Sequence, residues 1–108
     1  MERGSLIVVS VRGEHGKPRP AVVIQSPSLE ATESILVCLI TSFIEEDAHH
    51  RVLIPVDPST GLREPSMVMT EKIYPIPKIK CGPLIGRLPP AVMSQLDVRL
   101  AFVLGLGD

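Results

Sequence analysis

Apolar positions in this chain come first in short bursts and only late at helical spacing. Residues 6–11, 21–25 and 34–43 are runs rich in Val, Ile and Leu, bounded by Gly4, the 13–20 segment and Pro27. Short apolar runs closed by Gly or Pro predict buried strands. Residues 51–55 and 66–70 predict two more, with the turn-forming Asp57-Pro58-Ser59-Thr60-Gly61 between them, and Ile85 begins a last short one. Beyond Gly86-Arg87-Leu88 the period changes, because Val92, Leu96, Leu100 and Val103, with Met93 and Leu104, recur every three or four residues behind Pro89-Pro90. This predicts one amphipathic helix over 90–104, opened by proline and closed by Gly105 and Gly107. The expected fold class is mainly β with a C-terminal helix: a small antiparallel sheet curled into a partial barrel, with the helix covering its open face.

Length and composition narrow the functional classes. The 108 residues allow one domain, 1–108, and 44% hydrophobic against 21% charged residues places them among folding chains rather than disordered ones. The apolar run 35–40 falls far short of the roughly 20 residues that span a bilayer, and the start of the chain lacks the charged-then-apolar pattern of an export signal, so a cytoplasmic protein with no membrane role is expected. Eleven Lys and Arg against 12 Asp and Glu give a net charge of -1, which excludes nucleic-acid binding through overall positive charge and leaves only a local patch. Lys17, Lys72, Lys78, Lys80 and Arg87 could form that patch or be ordinary surface residues. Phe43, Tyr74 and Phe102 are too few aromatics for a base-stacking platform. Cys38 and Cys81 match no zinc spacing and read as reduced, structural thiols. The run Glu45-Glu46-Asp47-Ala48-His49-His50 reads as a solvated charge cluster sooner than a divalent-metal site, and no cofactor is expected.

Two places carry candidate chemistry. The connection from Gly13 to Pro20 concentrates Glu14, His15, Lys17 and Arg19 between two apolar strands. Arg19 stands between Pro18 and Pro20, whose rings restrict the backbone to extended conformations and fix the guanidinium at the edge of a buried strand. A rigidly mounted guanidinium is a good ligand for phosphate oxygens. Thr41 and Ser42 end a strand of six apolar residues with two hydroxyls that could donate to the same kind of oxygen. His15 is the nearby group whose unperturbed pKa suits proton transfer at neutral pH, and it reads either as a general base or as a solvated loop histidine.

The order of these features resembles a family. Gly4 followed by Leu6-Ile7-Val8-Val9, the block Gly16-Lys17-Pro18-Arg19-Pro20-Ala21-Val22-Val23-Ile24-Gln25-Ser26, and the strand ending Ile40-Thr41-Ser42 lead the pattern. Gly61-Leu62, Pro65-Ser66, Glu71-Lys72-Ile73, Gly86-Arg87-Leu88 and the helix ending Leu104-Gly105-Leu106 complete it. Over nearly its whole length the chain resembles the MazF/PemK toxins of type II toxin–antitoxin systems. That resemblance implies an SH3-like partial barrel that forms a homodimer. It also implies a metal-independent endoribonuclease that cuts single-stranded mRNA at short sequences by 2′-hydroxyl attack, and a cognate antitoxin that blocks its RNA groove. The family's catalytic arginine corresponds to Arg19 and its threonine to Thr41, with Lys17, His15, Ser42, Lys72 and Lys78 as RNA-binding candidates. Ser5 stands where relatives usually carry Asp, Val8 near their aromatic position and Lys72 where Gln is common; these departures bear on sequence preference and dimer packing. The alternatives are a toxin on the same barrel that binds gyrase or another protein, as CcdB does, and a catalytically degenerate homologue. A pure protein binder needs neither Arg19 nor Thr41.

Overall fold

The computed structural model describes residues 1–13 and 16–107. Six strands form one curled antiparallel sheet: β1 (Ser5–Val9), β2 (Arg19–Val23), β3 (Ser34–Thr41), β4 (Val52–Ile54), β5 (Ser66–Pro77) and β6 (Leu84–Arg87). Their order across the sheet is β4-β5-β3-β2-β1-β6. One helix, α1 (Pro90–Val103), follows the last strand. The expected half-barrel with a C-terminal helix is what the chain adopts.

Alternation along the strands divides the apolar side chains between two clusters on opposite faces of the sheet. Leu6, Val22, Cys38, Ile40, Val52, Ile54 and Val68 face the helix and meet Val92, Leu96 and Leu100. Ile7, Val9, Ala21, Val23, Val37 and Leu39 face the other way, into the curl, and meet Met69 and Ile76. Both faces are covered, which explains why the strands read as nearly continuous apolar runs rather than as alternating ones. The thiol of Cys38, on the helix side, is pushed up to about 12, first by burial and then by the nearby Glu71 carboxylate. Neither cysteine is bonded to the other: Cys38 is buried and Cys81 half-buried.

The buried stripe of α1 is Val92, Leu96 and Leu100, four residues apart, as a helix face requires. It is narrower than the apolar spacing suggests, since Met93 and Val103 are half-buried and Leu104 is exposed. Gly105 ends the helix with a left-handed φ of 70°, letting the Leu106 amide reach back to the Ala101 carbonyl at 2.8 Å.

Most strands differ from the sequence expectation by one or two residues at an end, and two of the differences matter. β2 starts at Arg19, two residues early, so the proline-flanked arginine is the first residue of the strand rather than part of the loop. β5 continues to Pro77, seven residues beyond Thr70. Pro75 and Pro77 pair with Leu36 and Ser34 of β3, while β4 covers only Ser66 to Val68 on the other side. The later half of β5 is therefore an outer edge, where a residue lacking an amide proton costs no ladder bond. Pro20 acts differently, in the middle of the sheet. It faces Val8 of β1, but the β2–β3 pairing stops at Ala21 and Leu39, just short of it. No helix of the described residues is long and apolar enough to cross a membrane.

Candidate active site

The antiparallel register brings Arg19 and Thr41 to the same place. Ala21 pairs with Leu39, Val22 with Cys38 and Val23 with Val37. The pairing stops there, and two residues further along each strand Arg19 and Thr41 both border one cleft. The first residue of β2 and the last of β3 thus form the lip of a cleft of about 370 Å³, lined also by Pro20, Ser42, Arg63, Glu64 and Ser66. Thr41 Oγ1 accepts a hydrogen bond from the Phe43 amide at 3.1 Å, which occupies a lone pair and leaves the hydroxyl proton available to donate outward. Arg19 is half-buried, and among the described residues it has no hydrogen-bond or ion-pair partner.

Antiparallel pairing also dictates the far wall. Thr41 pairs with Met67, so the residues entering β5 must lie beside those leaving β3. The segment before β5 begins with the 3-10 turn Pro58–Thr60, capped by Asp57, whose carboxylate accepts from the Ser59 amide at 2.9 Å. That bond holds the Asp57 carboxyl below its ordinary range. The buried Thr60 hydroxyl donates to the Asp57 carbonyl at 2.9 Å and accepts from the Leu62 amide at 3.1 Å. Below the turn, Gly61 and Gly86 interlock two backbones. A Cβ on Gly61, which has φ +73°, would lie 2.1 Å from the Ile85 carbonyl oxygen, and one on Gly86 would lie 2.3 Å from the Thr60 carbonyl group. Ser66 closes the segment by donating to the Glu64 carbonyl at 3.1 Å. The loop that carries Arg63 and Glu64 is therefore fixed at both ends.

The remaining candidates scatter. Ser42 lines the cleft and is exposed. Lys17 is exposed, two residues before Arg19. Lys72 is half-buried in β5, where the β3–β5 register shifts. Lys78 follows Pro77, which pairs with Ser34 at the opposite end of β3, and its ammonium donates to the Glu30 carbonyl, so it does not join Arg19 and Thr41. Lys80 is exposed beside Arg12, Tyr74 and Pro75 in a separate cleft, and Arg87 pairs with Glu2. His15 lies outside the described residues. The 45–50 segment is tied down at its end: His50 Nε2 lies 3.1 Å from Glu71 Oε1, Arg51 donates to both Glu71 oxygens, and the Thr70 hydroxyl donates to the His50 carbonyl at 2.6 Å. For Glu71 burial works upward, but the Arg51 hydrogen bond and charge prevail and hold the carboxyl below its usual range. The same bond raises the Arg51 guanidinium. Among the described residues no group of three or more His, Cys, Asp or Glu could hold a metal ion.

Sequence reasoning passed over Arg63 and Glu64. Their signal is topological: they precede the strand that pairs with the end of β3.

A curled six-stranded sheet with one C-terminal helix is a fold that this chain shares with a class of small toxins. The chain belongs to the PemK-like, MazF-like toxins of type II toxin–antitoxin systems, whose family model matches residues 2–104. It is 33% identical over 107 residues, 98% of either chain, to a probable endoribonuclease MazF of Mycolicibacterium smegmatis. In fold it is similar to an endoribonuclease from a mycobacterial species solved with its cognate antitoxin, with a TM-score of 0.83 at 21% identity over 100% of this chain and 98% of that one. The toxin MazF-mt6 of Mycobacterium tuberculosis is similar too, with a TM-score of 0.78 at 22% identity over 96% and 99% of the two chains.

Proposed function

We propose that this chain, a MazF-like toxin endoribonuclease, cuts single-stranded RNA, chiefly mRNA, by turning the substrate's own 2′-hydroxyl on the adjacent phosphorus. The observation that carries this reading is the convergence of Arg19 and Thr41 on one cleft, one a cation on a proline-constrained backbone and the other a hydroxyl with its proton free. As O2′ gives its proton to water and bonds to phosphorus, and the bond to O5′ breaks with O5′ taking up a proton from water, negative charge collects on the non-bridging oxygens. The Arg19 guanidinium and the Thr41 hydroxyl supply the donors that this charge needs, prearranged rather than recruited from water. A guanidinium remains protonated at any working pH, so Arg19 acts as an electrostatic stabiliser and as a donor towards the departing O5′. The nucleophile is internal, so the protein's task is to hold O2′ in line with the leaving oxygen, which requires neither a covalent enzyme intermediate nor a metal ion. The products are a 2′,3′-cyclic phosphate and a 5′-hydroxyl, and DNA, lacking the 2′-hydroxyl, is not cut.

Family membership supports the rest of the reading. The toxin works in the cytoplasm as a homodimer and slows growth until a cognate antitoxin occupies the groove. The test is to incubate purified protein and Arg19→Ala with a long single-stranded RNA and its DNA counterpart, in chelator, and to analyse the fragment ends. RNA-only cutting with cyclic phosphate ends, lost in the variant, is expected; intact RNA with folded, antitoxin-free protein overturns the reading.

A further inference from the structure

The charged residues of this chain are sorted in a telling way. Arg3 pairs with Asp97 at 2.6 Å, Arg51 with Glu71 and Arg87 with Glu2, so three arginines are occupied within the fold. Arg12, Arg19, Arg63 and Arg99 have no such partner among the described residues, and of these four Arg19 and Arg63 line the same cleft. Arg63 stays unpaired although Glu64 is its neighbour in sequence and lines the cleft beside it. An unpaired arginine on a mobile loop would mean little, because it would lose much of any contact to the entropy of ordering itself. This one stands on the segment that the Asp57 cap, the buried Thr60 and the Gly61–Gly86 interlock have already fixed. The backbone is therefore ordered before any ligand arrives, and only the exposed Arg63 side chain is left to order.

From this we infer that Arg63 is a second phosphate-binding residue, holding the backbone phosphate next to the one that Arg19 engages, so that RNA is gripped from both walls of the cleft. The inference rests on the ribonuclease reading and deepens it. A cleft of about 370 Å³ is near the lower end of the roughly 300–1,000 Å³ range of small-molecule pockets. It has room for one nucleotide, with the phosphates on its two sides lying towards opposite walls. Two cations on separate elements then fix two successive phosphates, and the sugar between them carries the attacking hydroxyl. Glu64 opposes a phosphate near it, which sharpens the position at which Arg63 can accept one. Arg63 thus acts on where the strand lies, whereas Arg19 acts on the charge that develops during reaction.

The experiment measures binding apart from cutting. A single-stranded RNA carrying 2′-deoxyribose at the cleavage position, which cannot be cut, is titrated against wild type, Arg63→Ala, Arg63→Lys and Arg99→Ala over a range of salt concentrations. Arg99 lies on the exposed side of α1 and controls for loss of any surface charge. Arg63→Ala is expected to weaken binding roughly tenfold at moderate salt. It should also make the slope of log K against log salt shallower by about 0.7, the value of one single-strand phosphate contact. Arg63→Lys should restore the slope, and Arg99→Ala should leave it at the wild-type value. An Arg63→Ala slope equal to wild type, or one matched by Arg99→Ala, overturns the inference. Uncut, all-ribose RNA is run alongside: Arg63-dependent binding without any cutting by wild type leaves the inference standing and removes the ribonuclease reading instead.

Discussion

Where β3 begins, at Ser34, the polar side chains are tied to one another, and roughly 23 Å away, where it ends at Thr41, charged groups stand open. At the closed end, Gln25 donates to the Leu29 carbonyl and to Thr32 Oγ1 and accepts from the Leu36 amide, the one Thr32 hydroxyl proton is within reach of the Leu29 and Ser34 carbonyls, and Lys78 reaches the Glu30 carbonyl. At the open end Arg19 and Arg63 have no protein partner among the described residues, and the Thr41 hydroxyl keeps its proton free. Both ends belong to the same strands and share the same core, so the difference lies in how local hydrogen bonds are used. One end uses them to hold loops; the other holds its loops by ring constraint and backbone packing and leaves its polar groups for a ligand.

If this division is right, substitutions at the two ends should separate activity from stability. Arg19→Ala should have the largest effect, lowering the rate of RNA cutting by roughly 10²–10³ while leaving stability within about 0.5 kcal/mol of wild type. Initial rates together with urea unfolding check both halves. Gln25→Ala, at the closed end, should do the reverse. Losing three hydrogen bonds in a partly exposed network should cost about 1–2 kcal/mol by urea unfolding, with cutting unchanged. A fall in cutting as large as that of Arg19→Ala would end the comparison.

The smallest effect belongs to Glu71→Gln, which removes the carboxylate that joins Arg51 and His50. For a partly exposed pair the cost at pH 7 should be about 0.2–1 kcal/mol. Glu71 has a lowered pKa in the folded state, so the wild-type advantage is fully present above the ordinary carboxylate range, near about 4.3, and disappears as pH falls through the lower folded value. Thermal melts of both proteins between pH 7 and 3 should therefore converge at the acid end.

How much of this was legible in the sequence depends on whether the cause was local. Arg19 could be read because Pro18 and Pro20 constrain it from adjacent positions, and Thr41 because it ends an apolar run. The helix was legible from its spacing, although which apolar residues form its buried face was not, since that depends on the sheet beneath. Beyond Thr70, β5 was hidden because Lys72, Pro75 and Pro77 break the apolar texture, and only an unpaired outer edge makes those residues acceptable. Whether Lys78 belonged to a basic patch could not be read, because sequence proximity says nothing about which end of a twelve-residue strand a lysine follows. Arg63 gave no local sign at all. Its placement comes from the pairing of Thr41 with Met67, a contact between residues 26 positions apart.

Pro20 gives the open end a property that the closed end lacks. The backbone of Arg19 is held by two pyrrolidine rings, one on either side, at the point where the ladder to β3 has already stopped. Covalent geometry of that kind neither titrates nor is screened by salt, and denaturant has no ring bond to compete for. The backbone that carries Arg19 is thus constrained by ring geometry rather than by an equilibrium, and changes of acidity or ionic strength that loosen the Glu71 network leave that constraint as it was.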